Sequence, residues 1–136
     1  MLTSSWFTPL PDGHIRVGIS RSVPRRSLRP GFRMYRKLAI GPWFNSVEAA
    51  TYRRLYQAEV LEQLDPQQVR DDLVRIAGGR MPVLCCFKQP NRPPMWCHRS
   101  LAAVWLADAL GIAVPELGYE DLPQALHPLR PPELLV

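Results

Sequence analysis

The sequence predicts a small α/β sandwich, with a mostly parallel central sheet flanked by helices, in one domain of 136 residues. Three observations carry this. The elements run strand, strand, long connection, helix, helix, strand, helix, the order a parallel sheet with crossover helices produces. The stretch "MPVLCCF" at 81 to 87 is continuously apolar, as a strand buried on both faces must be. Hydrophobic residues make up 46% and charged residues 21%, which is enough apolar material for a core without staples.

The elements follow in order. "MLTSSWF" is short, β-branched and aromatic, and reads as a first strand; Asp12-Gly13 marks a turn after it. "HIRVGIS", 14 to 20, alternates Ile15, Val17 and Ile19 with His14, Arg16 and Gly18, the pattern of a strand with one buried face. Residues 21 to 45 hold Arg, Pro and Gly without a sustained period and read as a long irregular connection, a feature that in compact domains is usually functional. A helix is expected from Ser46, as cap, to Leu64. A second has Asp65 as N-cap, Pro66 at its first position, Gln68 completing a capping box, and Gly78-Gly79 as its end. The last helix runs from about His98 to Leu110, with Cys97 as cap, Trp96 and Leu101 at staple positions and Gly111 as the left-handed cap. "AVPEL" suggests one more short strand. The core is expected over about 1 to 118. The Pro-broken remainder, about 119 to 136, reads as a short helix plus a tail.

Charge is distributed unevenly. The net charge is +5, but no acid lies between Asp12 and Glu48, an interval holding Arg16, Arg21, Arg25, Arg26, Arg29, Arg33, Arg36 and Lys37. No acid lies between Asp72 and Asp108 either, where Arg75, Arg80, Lys88, Arg92, His98 and Arg99 occur. Two wholly basic segments therefore flank an acidic helical middle. Brought together by the fold, they make one positive cleft suited to an anion, a nucleotide or nucleic acid. Left apart, they are solvated surface.

In an open parallel sheet, ligands bind beyond the carboxyl ends of the strands. Two loops leave such ends, one at Ser20-Arg21-Ser22 and one at Phe87-Lys88. The second delivers Cys97-His98-Arg99 to a helix N-terminus, where free backbone N–H groups and the dipole favour an anion. The expected catalytic residues are Cys97, a thiol whose pKa the helix end and cationic neighbours lower, and His98 as its acid or base. Arg21, Arg25, Lys88 and Arg99 are the expected anion-binding residues. The bland alternatives are that Cys97 caps or packs, that His98 faces solvent, and that Arg99 pairs with Asp108 or Glu116.

The three cysteines, Cys85, Cys86 and Cys97, read as free thiols, with Cys85 and Cys86 filling the strand. "CFKQPNR", Cys86 to Arg92, has the Cys-x5-Arg spacing of cysteine phosphatases. Pro90 removes an N–H donor from that loop and Pro93-Pro94 follow the arginine, so the match is set aside. Zinc is set aside because no Cys-x2-Cys pair and no second His at useful spacing are present. No metal or cofactor is assigned.

Three stretches resemble the uncharacterised bacterial and archaeal proteins grouped as domain-of-unknown-function family 488. "LTSSWF" is similar to that family's opening strand. "VGISRSVPRRSLRPGFRMYRKLAI" is similar to its arginine-bearing strand end, with Arg21, Pro24, Gly31 and Phe32 at matching places. "PVLCCFKQPNRPPMWCHRSLAAVWL" resembles its signature of a Leu-Leu-Cys-type strand, a loop of variable length and Cys-His-Arg opening a helix. The resemblance spans about Leu2 to Leu117 and implies the same α/β fold with Arg21, Cys97, His98 and Arg99 in a shared site. Many relatives carry Asp two residues before the first arginine; this chain has Ile19, so a role needing that carboxylate does not carry over. The family brings no established activity.

Two functions from different classes follow as expectations. The first is an enzyme-type site for a phosphate-bearing ligand, with Cys97 as nucleophile. The second is a non-catalytic module for nucleic acid or a protein partner, using the arginines of the 21-to-45 loop with Phe32, Tyr35, Trp43 and Phe44, unless those aromatics pack in the core. The N-terminus lacks a signal-peptide pattern and no run reaches membrane-spanning length, so a cytoplasmic setting without membrane contact is expected.

Overall fold

The chain folds in the order β1 (Leu2–Ser5), β2 (His14–Gly18), β3 (Phe32–Met34), α1 (Ala49–Glu59), α2 (Pro66–Ala77), β4 (Met81–Cys86), α3 (His98–Leu110). This computed structural model describes residues 1–25, 31–90, 96–124 and 127–129. Arg26, Arg29, Arg92, Pro93-Pro94 and half of the Pro-rich tail, named above, lie outside the described residues. The strands form one all-parallel sheet in the order β1-β4-β2-β3. The apolar strand is central, with Ser5 beside Cys86 and Gly18 beside Cys85. The small α/β class that the element order predicts is the one observed.

The helices gather on one face. Ile15, Val17 and Leu84 meet Tyr52 and Tyr56 of α1, Val69 and Leu73 of α2, and Ala102, Ala103 and Leu106 of α3. The residues of α3 are small and apolar almost all round, so it lies buried against β1, β4 and α2. The opposite face of the sheet is covered too, by the turn after β1. Trp6 packs there on Val83 and Cys85, and is itself fully buried. This corrects the expectation of one buried face for β2. Arg16 is 5% exposed, donating from Nε to the Trp6 carbonyl and from Nη2 to the Thr8 carbonyl. Gly18 is required because a Cβ there would strike the Trp6 indole and the Met34 sulfur.

Punctuation is partly as expected. Asp65 accepts from the Gln67 N–H, Pro66 opens α2, and Gly78 closes it at φ 59°. The capping box does not form, because the Gln68 amide donates to Asp72, one turn on, at 2.9 Å. Helix α1 is shorter than expected. Glu48, not Ser46, caps it by accepting from the Thr51 N–H, while Ser46 bonds the Trp43 carbonyl. The chain leaves α1 at Val60 and makes a 3₁₀ turn over Leu61–Gln63. The 21-to-45 connection is less irregular than its composition implies, holding β3 and a 3₁₀ turn over Arg36–Leu38. The strand expected in "AVPEL" is one parallel bridge, Thr3 to Glu116. Among the described residues, no helix is long and apolar enough to cross a membrane.

Candidate functional site

A cavity of about 350 Å³ opens beyond the carboxyl ends of β2 and β4, where a parallel sheet places its ligands. The loop after β2 contributes Ser20, Arg21 and Ser22. The approach to α1 contributes Ile40, Phe44, Asn45 and Val47, and α1 itself Tyr52. The end of β4 adds Cys86, Phe87 and Lys88, and the start of α3 adds Trp96, Cys97 and His98. The walls are mainly apolar and aromatic. Exposed Arg21 and half-buried Lys88 supply positive charge.

Arg21 is held loosely, with Nη1 donating to the Ile40 carbonyl at 3.3 Å. Its loop is anchored from below: the Trp6 indole N–H donates to Ser20 Oγ at 2.8 Å, and Ser20 Oγ donates to the Ser22 carbonyl. Arg25 is exposed and does not line the cavity.

The α3 N-terminus is positioned by several contacts. Cys97 is its N-cap at φ −154° and ψ 149°, with no side-chain capping bond. The Cys97 N–H donates to the Leu129 carbonyl, and the Ser100 hydroxyl bonds the Cys97 and Leu129 carbonyls. The His98 N–H donates to the Tyr52 hydroxyl at 2.8 Å. One of the helix-end donors expected to face a ligand is therefore already engaged.

His98 is buried, which corrects the solvent-facing alternative. Its Nε2 lies 2.6 Å from the Ile19 carbonyl, which only a protonated nitrogen can satisfy. Nδ1 then holds the lone pair, and it faces Cys97 Sγ at 3.5 Å. Burial lowers the His98 pKa to about 4; the bond to Ile19 works against this and the Arg99 charge adds to it. At neutral pH the ring is uncharged and its Nδ1 carries the lone pair.

Arg99 does not reach the cavity. Its side chain is fully buried, with Nε donating to Glu116 Oε1 at 2.9 Å and Nη2 to Glu116 Oε2 at 2.7 Å. Nη1 donates to Cys86 Sγ at 2.9 Å and to the Lys88 carbonyl at 2.7 Å. The expectation of Arg99 as an anion-binding residue is corrected: its anion is Glu116, the bland alternative. The cation expected beside Cys97 serves the sulfur of Cys86 instead.

The cysteines depart from their expected roles as separate thiols. Adjacent residues on a strand point to opposite faces. Cys85 packs under Trp6, and its thiol is pushed up to about 12, chiefly by burial. Cys86 points the other way and is joined to Cys97 in a disulfide, which corrects the free-thiol expectation for these two; Cys85 alone is a free thiol among the described residues. Cys86 is thus a residue of the site that sequence reasoning assigned to packing; the strand alternation was the available signal. Tyr52, Trp96 and Glu116 were also missed as site residues. Their roles depend on contacts distant in sequence.

The loop aromatics mostly pack. Tyr35 is buried with its hydroxyl on Asp72, Trp43 bonds Glu59 and meets Tyr52 edge-on, and Phe32 meets Trp6 edge-on. Phe44, 44% exposed, faces the cavity.

Comparison with family models, with curated proteins and with solved structures finds no match for the chain. The likeness to family 488 accordingly rests on the three stretches quoted above.

Proposed function

We propose that the cavity binds a phosphate-bearing ligand of nucleotide size. The observation that carries this reading is that Arg21 and Lys88, drawn from two acid-free segments, line one cavity together with Cys97 and His98. The cations are the phosphate partners, and Phe44, Phe87 and Trp96 suit the flat face of a base. A volume of about 350 Å³ is in the range of small-molecule sites and favours a mononucleotide over a strand of nucleic acid. Cys97 and His98 form the reactive wall. In the reduced chain, Cys97 Sγ lies within hydrogen-bond reach of His98 Nδ1 and is the candidate nucleophile toward the ligand.

Trp96 lies in the cavity wall, so its fluorescence reports occupancy. Titration of the reduced chain with a nucleoside diphosphate is expected to give saturable binding that weakens with salt. Arg21→Ala is expected to weaken it roughly tenfold or more, the worth of a charged hydrogen bond. Equal binding of the unphosphorylated nucleoside, or an unaltered affinity in Arg21→Ala, would overturn the proposal.

A further inference from the structure

We propose that, once the Cys86–Cys97 disulfide is reduced, Cys86, Cys97 and His98 form a three-ligand site for a thiophilic d¹⁰ divalent cation of the zinc class, its fourth position open to the cavity. Spacing alone argues against zinc, because no Cys-x2-Cys pair and no second His at useful spacing are present. The fold removes that objection. The end of β4 and the N-cap of α3 bring Cys86 and Cys97 together, and the two sulfurs and a ring nitrogen of His98 all lie within 4.8 Å of one another. All three residues are at least 97% buried and line the cavity wall.

In the reduced chain the backbone separation leaves room for an ion between these sulfurs. The Cα atoms of Cys86 and Cys97 are 7.7 Å apart, whereas disulfides span roughly 4.4–6.8 Å. An ion holding each sulfur at about 2.3 Å in tetrahedral geometry sets the sulfurs roughly 3.7 Å apart and tolerates a wider backbone. The surroundings supply the outer contacts such sites use. A ligating histidine usually donates its second N–H to a carbonyl or carboxylate, which fixes the ring. Here Nε2–H does so to the Ile19 carbonyl at 2.6 Å and turns Nδ1 to the sulfurs. The Cys86 sulfur receives an N–H from Arg99 at 2.9 Å, the bond that settles a ligating thiolate. Charge also balances, since two thiolates neutralise a divalent ion and Glu116 neutralises Arg99.

Two cysteines, one histidine and an open position facing a ligand cavity are a catalytic type of zinc set and not a closed structural one. The inference goes beyond the ligand reading and does not depend on it. With the ion bound, Cys97 is a ligand; its role as free nucleophile belongs to the metal-free chain.

The test uses the full chain, reduced and stripped of metal, titrated with cobalt and then zinc. One cobalt per chain is expected, with a thiolate-to-cobalt charge-transfer band in the near ultraviolet and the d–d bands of a tetrahedral ion, all lost on adding zinc. Cys85→Ser is expected to keep the spectrum. Cys97→Ser is expected to lose intensity in the charge-transfer band, and His98→Gln to weaken affinity at least tenfold. The unaltered chain decides sulfur ligation even if a variant fails to fold. Absence of the charge-transfer band, an identical band in Cys97→Ser, or loss of both thiols to a disulfide without metal uptake would overturn the inference. Nucleoside diphosphate binding in the metal-free chain is read separately, so failure of one proposal leaves the other standing.

Discussion

Arg99 and Glu116 form a forked ion pair inside the fold, with nitrogen–oxygen distances of 2.9 and 2.7 Å and side chains 0% and 2% exposed. The pair joins the first turn of α3 to the segment that bridges β1. Thr3 Oγ1 donates to Glu116 Oε1 at 2.8 Å, and His127 lies against both residues. Because Nη1 of the same arginine reaches Cys86 and the Lys88 carbonyl, the pair fixes one wall of the cavity without entering it.

Removing the carboxylate leaves a buried guanidinium without its counter-ion. Glu116→Gln is expected to destabilise the chain by about 3–5 kcal/mol, the range for breaking a buried pair from one side. Urea unfolding followed by circular dichroism measures this. A loss under about 1 kcal/mol would mean that the pair is solvated and weak.

The same pair sets an acid dependence. Burial would raise the Glu116 pKa, but bonds from His127 and Arg99, the Arg99 charge and the Thr3 hydroxyl outweigh it and hold the group at about 2, below its ordinary 4.5. A depressed carboxyl contributes stability that is complete above its unfolded pKa and is lost as pH falls toward its folded one. The window is therefore pH 4.5 down to about 2, and the loss is about 3 kcal/mol by linkage. Asp72 and His98 also titrate in acid, so the informative quantity is the difference between the native chain and Glu116→Gln. The gap in stability between the two is expected to narrow across that window. A constant gap would assign the acid response to the other groups.

Gly18 lies where β2 passes under Trp6, and an added methyl there meets the indole. Gly18→Ala is expected to destabilise the chain by roughly 1–3 kcal/mol, the usual cost of overpacking. It also displaces the indole from Ser20, so a change in tryptophan emission is expected. Unaltered stability and emission would mean that the face opposite the helices is loosely packed.

Much of the fold is legible because its signals are local. The alternation of Ile15, Val17 and Ile19 marks β2, and the apolar run through Val83 and Leu84 marks the central strand. Asp65, Pro66 and Gly78 bracket α2, and Gly111, at φ 64°, closes α3. What was missed is set by partners far along the chain. Three residues of β3 are too few to show a period and owe their extended form to β2. Arg16 reads as a solvent-facing strand residue, and only the turn after β1 buries it. At the site, charge placed Arg21 and Lys88 on one side of the fold, and the cavity contains both. Arg99 carries the same charge but is turned inward by Glu116, seventeen residues on, a pairing that no periodicity announces. Cys86 and Cys97 meet because β4 ends beside the start of α3, which follows from topology and not from spacing.

The most direct measurement is a crystal structure of the reduced chain grown with a nucleoside diphosphate. Phosphate oxygens are expected within hydrogen-bond distance of Arg21 and Lys88, with the base against Phe44, Phe87 or Trp96. Diphosphate bound on another surface, or occupying the cavity with Arg21 and Lys88 both turned to solvent, would contradict the assignment of this cavity as a phosphate-ligand site.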